Sequence, residues 1–359
     1  MFRFLRKMTF LALPLALAVT AGCSSASTNS AGSSISPSPS AEATASAAVV
    51  EASPNPGGKT TYPLSIENYT LSTESGSYQP KTQTFEKAPE RIVANTQSAA
   101  EILIRLGLTD KVVGVAALYG DVEADIAEEF AKIPVLSEGY VGKELVVGAS
   151  PDIVLGRGDL FADADWGVGT VDALNELNIA TFVQNNSRPG AVLNDLYKDI
   201  EQLGQILDVQ DKAQELVQSL QQRAKDLETK YAGNQEQSFA FIGSSTPDSI
   251  AIYSANNDTF QAEALSLLKV TNVFADVSGE ISAEQLVAKN PDFLVISDYK
   301  GGPDINESVK NIYDNPALQS MSAIQNKKVY IIDFNDFWGY GYHIFDGVEK
   351  LGENLSKAS

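Results

Sequence analysis

An α/β fold of two Rossmann-like lobes, each on a central parallel-type sheet and joined by a long rigid α-helix with a ligand cleft between the lobes, is predicted by three observations. Short apolar runs alternate with helix-patterned stretches on both sides of the chain's middle. A long amphipathic stretch separates the two sides. One short pattern, Glu followed by Pro-Asp and an apolar run, occurs once on each side of it. The expected parts are 1–23, an export signal; 24–61, a tether; 62–190, the first lobe with a leading hairpin; 191–234, the helical link; and 235–359, the second lobe.

Arg3, Arg6 and Lys7 precede an apolar run, Leu11 to Val19, too short to span a bilayer. The run closes at Val19-Thr20-Ala21-Gly22-Cys23, with small residues before the chain's single Cys. This resembles the bacterial lipobox, in which the Cys is lipidated, with Thr20 where Leu is usual. The plainer alternative is an ordinary cleavage site beside an incidental Cys. Nearly every residue from Ser24 to Thr61 is Ser, Ala, Thr, Pro or Gly. That stretch lacks the apolar surface to fold and reads as a flexible tether. A tether behind a lipid anchor implies a protein held outside a Gram-positive cell membrane.

Two alternating runs between Tyr62 and Phe85, separated by Glu74-Ser75-Gly76-Ser77, read as a β-hairpin. Arg91-Ile92-Val93-Ala94 is a buried-type strand. Ser98 with Glu101 forms a capping box for a helix from Ala99 to Leu106, stopped by Gly107, and Val112 to Ala116 is the next strand. In the middle, Leu193, Leu196, Ile200, Leu203 and Leu207 share one helix face. After a break at Asp208-Val209-Gln210, Ala213, Leu216, Leu220, Ala224, Leu227 and Tyr231 continue the pattern, with Asp211 as the cap. A helix from Asp211 to Tyr231 is roughly 30 Å long, enough for a strut between lobes; a long helix packed on one large domain is the alternative.

The chain is acidic, with a formal charge of −20, which disfavours nucleic acid and anionic surfaces as partners. One Cys and one His exclude an internal disulfide and a Cys/His cluster for zinc or iron–sulfur. No nucleophile elbow or phosphate-binding Gly loop occurs, so an enzyme, for example a hydrolase using Asp163 and Asp165, is the remote reading. No metal site and no cofactor are expected.

The repeated pattern is Lys143-Glu144-Leu145-Val146-Val147-Gly148-Ala149-Ser150-Pro151-Asp152 before one strand and Ala283-Glu284-Gln285-Leu286-Val287-Ala288-Lys289-Asn290-Pro291-Asp292 before another. In each, Pro ends a short helix. Together with Pro89-Glu90-Arg91-Ile92-Val93, the stretch from Glu101 to Val115, the long helix and Phe345-Asp346-Gly347-Val348-Glu349, the order resembles the class III, helix-hinged solute-binding proteins of ABC importers. The resemblance covers about Pro89 to Leu355. It implies capture of a ferric siderophore, haem or vitamin B12, and delivery to a permease dimer with its ATPase. It also implies that Glu144 and Glu284 pair with permease arginines, one per subunit; the helix dipole alone also favours a carboxylate there. A monomer is expected.

Ligands of open parallel sheets sit beyond the strands' carboxyl ends. That rule nominates Tyr119, Tyr140, Arg157 and Trp166 in the first lobe. In the second it nominates Phe337-Trp338-Gly339-Tyr340-Gly341-Tyr342-His343, read as a loop of rings and glycines with Trp338, Tyr340, Tyr342 and His343 as ligand-binding residues. The alternatives are Arg157 paired with Asp159 or Asp163, the 337–343 segment as a turn packing its rings on the last helix, and His343 as a structural residue. Few cations reach the predicted cleft (Arg157, Lys300 and Arg188), which tilts the reading to hydroxamate or mixed-donor rather than catecholate iron complexes. A long helix also predicts small closure on binding.

Overall fold

A computed structural model describes residues 58–72, 76–245, 250–252, 259–277 and 279–357. Cys23 and the tether up to residue 57 lie outside the described residues. The first half opens with β1 (Leu64–Leu71) and β2 (Tyr78–Phe85), an antiparallel hairpin pairing Leu64 with Phe85. Four short strands follow: β3 (Ile92–Ala94), β4 (Val112–Val115), β5 (Ile153–Gly156) and β6 (Ala180–Val183). They form one all-parallel sheet in the order β4-β3-β5-β6. Helices α1 (Gln97–Arg105), α2 (Ala127–Phe130), α3 (Lys143–Gly148) and α4 (Val171–Glu176) lie between them in sequence. The hairpin covers the β6 edge: Asn68 accepts from Val183 N at 2.8 Å and donates to Val183 O at 3.0 Å. A buried amide thus closes an edge that would otherwise expose unpaired backbone groups.

Helices α5 (Leu193–Ile206) and α6 (Gln210–Tyr231) connect the halves. A close approach seats α6 at each end. A Cβ on Gly204 of α5 would lie 2.5 Å from the Ala213 methyl, so only glycine lets α5 and the start of α6 touch. Tyr231, at the far end, packs on Gly352 in α12 (Ile344–Lys357), again at a distance no Cβ permits. Val209 rather than Asp211 holds the capping position of α6; Asp211 lies in the first turn, where its charge still favours the helix start.

The second half contains β7 (Gln237–Ser245), β8 (Ile250–Ile252), α7 (Thr259–Ser266), β9 (Val270–Asn272), β10 (Gly279–Ile281) and α8 (Ala283–Lys289). These lead to β11 (Phe293–Asp298), α9 (Ile305–Asp314), α10 (Ser322–Gln325), β12 (Val329–Asp333), α11 (Phe334–Trp338) and then α12. The sheet order is β10-β8-β7-β11-β12 with β9 also beside β7. β9, β7, β11 and β12 run parallel, while β8 is antiparallel to β7 and β10, so this sheet is mixed. Alternation sorts its core: Phe239, Phe241, Phe293 and Val295 join the large core shared with α5, α6 and α12. Ala240, Ile242, Leu294 and Ile296 face a second core with Ile312 and Leu318.

The repeat has a structural basis beyond its proline. Both short helices stop at a left-handed backbone residue directly before Pro, Ser150 at φ 51° and Asn290 at φ 43°. Those residues, rather than the prolines, turn the chain. The Asp that follows ties its strand to the neighbouring one. Asp152 accepts from the Glu90 and Arg91 amides beside β3, and Asp292 accepts from Ser238 N and Oγ in β7.

One capping assignment needs correction. Thr96, not Ser98, caps α1, its Oγ1 accepting from Ala99 N at 3.3 Å. Ser98 is buried and donates to Asn335 Oδ1 across the two halves at 3.1 Å, while Glu101 faces inward, accepting from Gln97.

Candidate functional site: an acidic, ring-lined cleft

The carboxyl ends of β4, β11 and β12 converge on a cleft of about 340 Å³. The first half contributes Tyr119, Gly120 and Asp121; the second contributes Asp298, Tyr299, Lys300, Ile331, Ile332 and Asp333. Asp298, Ile331, Ile332 and Asp333 close β11 and β12, Tyr299 and Lys300 follow β11 directly, and Tyr119 to Asp121 lie a few residues beyond β4. Two contacts hold the cleft's sides together: Lys300 N donates to Tyr119 O at 3.1 Å, and Lys300 Nζ lies 3.0 Å from Asp121.

Tyr119 is the hub of the rings. Tyr140, Tyr299 and Phe334 meet it edge-on at 5.5, 6.3 and 6.0 Å, and Trp166 continues the row 6.2 Å from Tyr140. Edge-to-face contacts of this kind favour a fixed ring arrangement. Tyr140, Trp166, Tyr299 and Ile331 are 37%, 48%, 36% and 44% exposed. Half of the eight exposed large apolar residues among those described therefore sit in or beside this one cleft, which marks it as a recognition surface. Burial, then Tyr140, pushes the Tyr119 hydroxyl up to about 12, so it stays a neutral hydrogen-bond donor at neutral pH.

Sequence-nominated residues divide into two groups. Tyr119, Tyr140 and Trp166 are in the ring row. Arg157, after β5, is held by Asp159 at 2.7 Å and lies over the Tyr340 ring at 5.5 Å, so its charge is largely committed. Trp338, Tyr340, Tyr342 and His343 are not displayed to solvent, which corrects the expectation of an open loop. Residues 334–338 form α11, whose Trp338 stacks on Phe334 at 5.6 Å and meets Phe241 at 5.1 Å. Tyr340 lies 6.2 Å from Phe260, and its carbonyl accepts from Gln184 and Asn186. The glycines serve close packing. A Cβ at Gly339 would come within 2.2 Å of Ser98 Oγ, and one at Gly341 within 2.9 Å of Ser98 Cβ. Alternating rings and glycines here seal the junction between the halves.

Phe334, Asp121 and Asp333 were not nominated from sequence, although each follows or ends a strand. Applying the carboxyl-end rule to every strand, rather than to the most aromatic segment, finds them. Glu144 and Glu284 are both exposed in the first turns of α3 and α8. The Ser282 hydroxyl holds the Glu284 carboxyl below its usual range, so it is charged at neutral pH.

Two facing α/β halves tied by a long helix, with a ring-lined cleft at the strand ends, define a two-lobed solute-binding protein. The profile of the periplasmic binding protein family matches residues 92–335, and the chain belongs to that family. It is a substrate-binding protein of the ABC-transporter type rather than an enzyme. An uncharacterized ABC transporter substrate-binding lipoprotein of Bacillus subtilis is 28% identical over 278 residues, 76% of this chain and 82% of that protein. The vitamin B12-binding protein of Yersinia pestis is 24% identical over 220 residues, 59% of this chain and 70% of that protein. Among solved structures, an ABC-type Fe3+-hydroxamate transport system from Saccharomonospora viridis aligns with TM-score 0.65 and 26% identity, covering 82% of this chain and 99% of that one. A periplasmic binding protein from Veillonella parvula aligns with TM-score 0.70 at 21% identity over 81% and 97% of the two chains.

Proposed function

We propose that this protein captures a ferric siderophore of the hydroxamate type in the Tyr119–Tyr299 cleft and delivers it to an ABC importer. The observation that carries this reading is the cleft's combination of rings with acid. Asp121, Asp298 and Asp333 line it, and its single lysine, Lys300, is already paired with Asp121. Such a surface repels a highly anionic catecholate complex and suits a neutral or cationic one with an organic shell. Tyr119 supplies a neutral donor for chelating oxygens. The likeness to the Fe3+-hydroxamate system supports the same class. Haem is less well served by the one His, since His343 is buried and does not line the cleft. The Yersinia relative's name makes cobalamin the second reading, and the cleft would have to widen by parting Lys300 from Asp121 to admit it.

In this reading Glu144 and Glu284 dock the two halves on a permease dimer served by its ATPase, and exposed Leu145 adds an apolar contact beside Glu144. Cys23 carries the lipid that anchors the chain to the outer face of a Gram-positive membrane. No helix among the described residues is long and apolar enough to cross a membrane. The test is a tryptophan-fluorescence titration of the full chain with a ferric hydroxamate, a ferric catecholate, haem and cobalamin. Saturable quenching by the hydroxamate, lost in Trp166→Phe and weakened in Tyr119→Ala, is expected. Tighter binding of the catecholate, or no saturable response to the hydroxamate, overturns the assignment.

A further inference from the structure

We propose that Glu101, Glu123, His343 and Asp346 form a buried site for one divalent transition-metal cation at the junction of the two halves. The four residues arrive from separate places: Glu101 from α1, Glu123 from the segment after β4, and His343 and Asp346 from the start of α12. The donor atoms of Glu123, His343 and Asp346 lie within 4.8 Å of one another. His343 Nε2 stands 3.5 Å from Glu101 Oε2 and 3.7 Å from Glu123 Oε2. Those distances are long for hydrogen bonds. They match the spacing between two donors of a tetrahedral cation, about 3.5 Å when each lies about 2.1 Å from the metal.

The second observation is unmet bonding. His343 and Glu101 are 3% and 0% exposed, yet both imidazole nitrogens and Glu101 Oε2 have no hydrogen-bond partner among the described residues. Asp346 Oδ2 is buried and likewise unpartnered among the described residues. Orphaned buried acceptors cost stability unless something satisfies them. One cation accepts electron pairs from all of them at once.

The surroundings resemble the outer shell of a metal centre. Gln97 fixes the other Glu101 oxygen at 2.9 Å. Arg105 and the Tyr342 hydroxyl both donate to Glu123 Oε2, the oxygen that faces His343, and Arg223 holds Asp346 through Oδ1, leaving Oδ2 buried and open to an ion. Glu123 and Asp346 keep 27% and 20% of their side chains accessible, which gives an ion a way in. One imidazole with carboxylates suits zinc, manganese or iron(II) rather than the all-oxygen sets of magnesium and calcium. Bound there, the ion would clamp α12 to the first half. The inference stands independently of which solute fills the cleft.

The experiment uses the full chain, stripped with a chelator and dialysed, then titrated calorimetrically with Zn2+ and with Mg2+, and optically with Co2+. One equivalent of Zn2+ should bind, Co2+ should give visible absorption bands, and Mg2+ should not compete. His343→Asn and Glu101→Gln should each weaken Zn2+ binding by roughly 100-fold or more, since even outer-shell changes cost about 10–100-fold. Glu349→Gln, which touches Arg223 but supplies no donor, should leave binding unchanged. The wild-type titration decides even where a variant folds poorly. No stoichiometric Zn2+ binding, or binding that survives both His343→Asn and Glu101→Gln, overturns the proposal.

Discussion

Replacing Gly339 by alanine tests how the aromatic segment is seated between the halves. The new methyl would stand 2.2 Å from Ser98 Oγ, 2.4 Å from the Asn335 carbonyl oxygen and 2.8 Å from Asn335 Oδ1. Ser98 can turn its hydroxyl away, but that breaks its buried bond to Asn335 at 3.1 Å. The Asn335 carbonyl belongs to α11 and accepts from Gly339 N itself, so it moves only if α11 moves. Overpacking of this kind costs about 1–3 kcal/mol, and the lost hydrogen bond adds about 1. The smaller conformational freedom of alanine in the unfolded chain returns about 0.4–1 kcal/mol. The net loss is about 1–3.5 kcal/mol, a melting decrease of roughly 2–6 °C for a body of roughly 300 residues. Circular dichroism melts of the full chain measure it, with Gly148→Ala as the control because nothing lies within 4 Å of its new methyl. In a Ser98→Ala background the penalty should shrink but not vanish, since the carbonyl contact remains. A Gly339→Ala protein that melts with the wild type would show that the segment does not pack against Ser98, and the burial of Trp338 and Tyr340 would then need another cause.

Three further outcomes follow from the same geometry. Asp199 is fully buried and accepts from the Asn185 and Asn186 amides, so Asp199→Ala leaves those donors unmet and should cost about 1–3 kcal/mol in urea unfolding. Burial raises the Asp199 carboxyl to about 7 despite those bonds, so the folded chain holds a proton that the unfolded chain releases near pH 4. The stability from this group is complete below about pH 4 and is lost as pH rises through 7, a change on the order of 4 kcal/mol. The deficit of Asp199→Asn relative to wild type should therefore narrow between pH 4 and 8; a constant gap refutes the assignment. Finally, Glu144→Lys with Glu284→Lys should abolish uptake in cells while leaving the ligand affinity of the purified chain within about twofold, because both side chains are exposed and neither lines the cleft. Loss of ligand binding in the double variant would contradict a docking role.

Local rules made much of this architecture legible. Alternation set the hairpin, short apolar runs set β3, β4, β5 and β11, and the three-and-four spacing set α5 and α6 within a residue or two. The Glu…Pro-Asp repeat was readable because each Asp bonds an amide at the start of the neighbouring strand, the same local need met once in each half. The capping of α1 was misread because Ser98 and Glu101 fit a capping box locally, while both are drawn inward by partners far along the chain.

The same distinction runs through the site. By itself the sequence determined an acidic chain and two α/β halves about a long helix, from which a general rule sets a ligand at the ends of the strands. Tertiary structure alone decided which rings line the cleft. Composition cannot tell an aromatic that faces solvent from one that fills a junction, and Trp166 and Trp338 look alike until their neighbours are known. It also brought Glu101, Glu123, His343 and Asp346 together, since residues separated by more than 200 positions meet only when both halves have folded and packed.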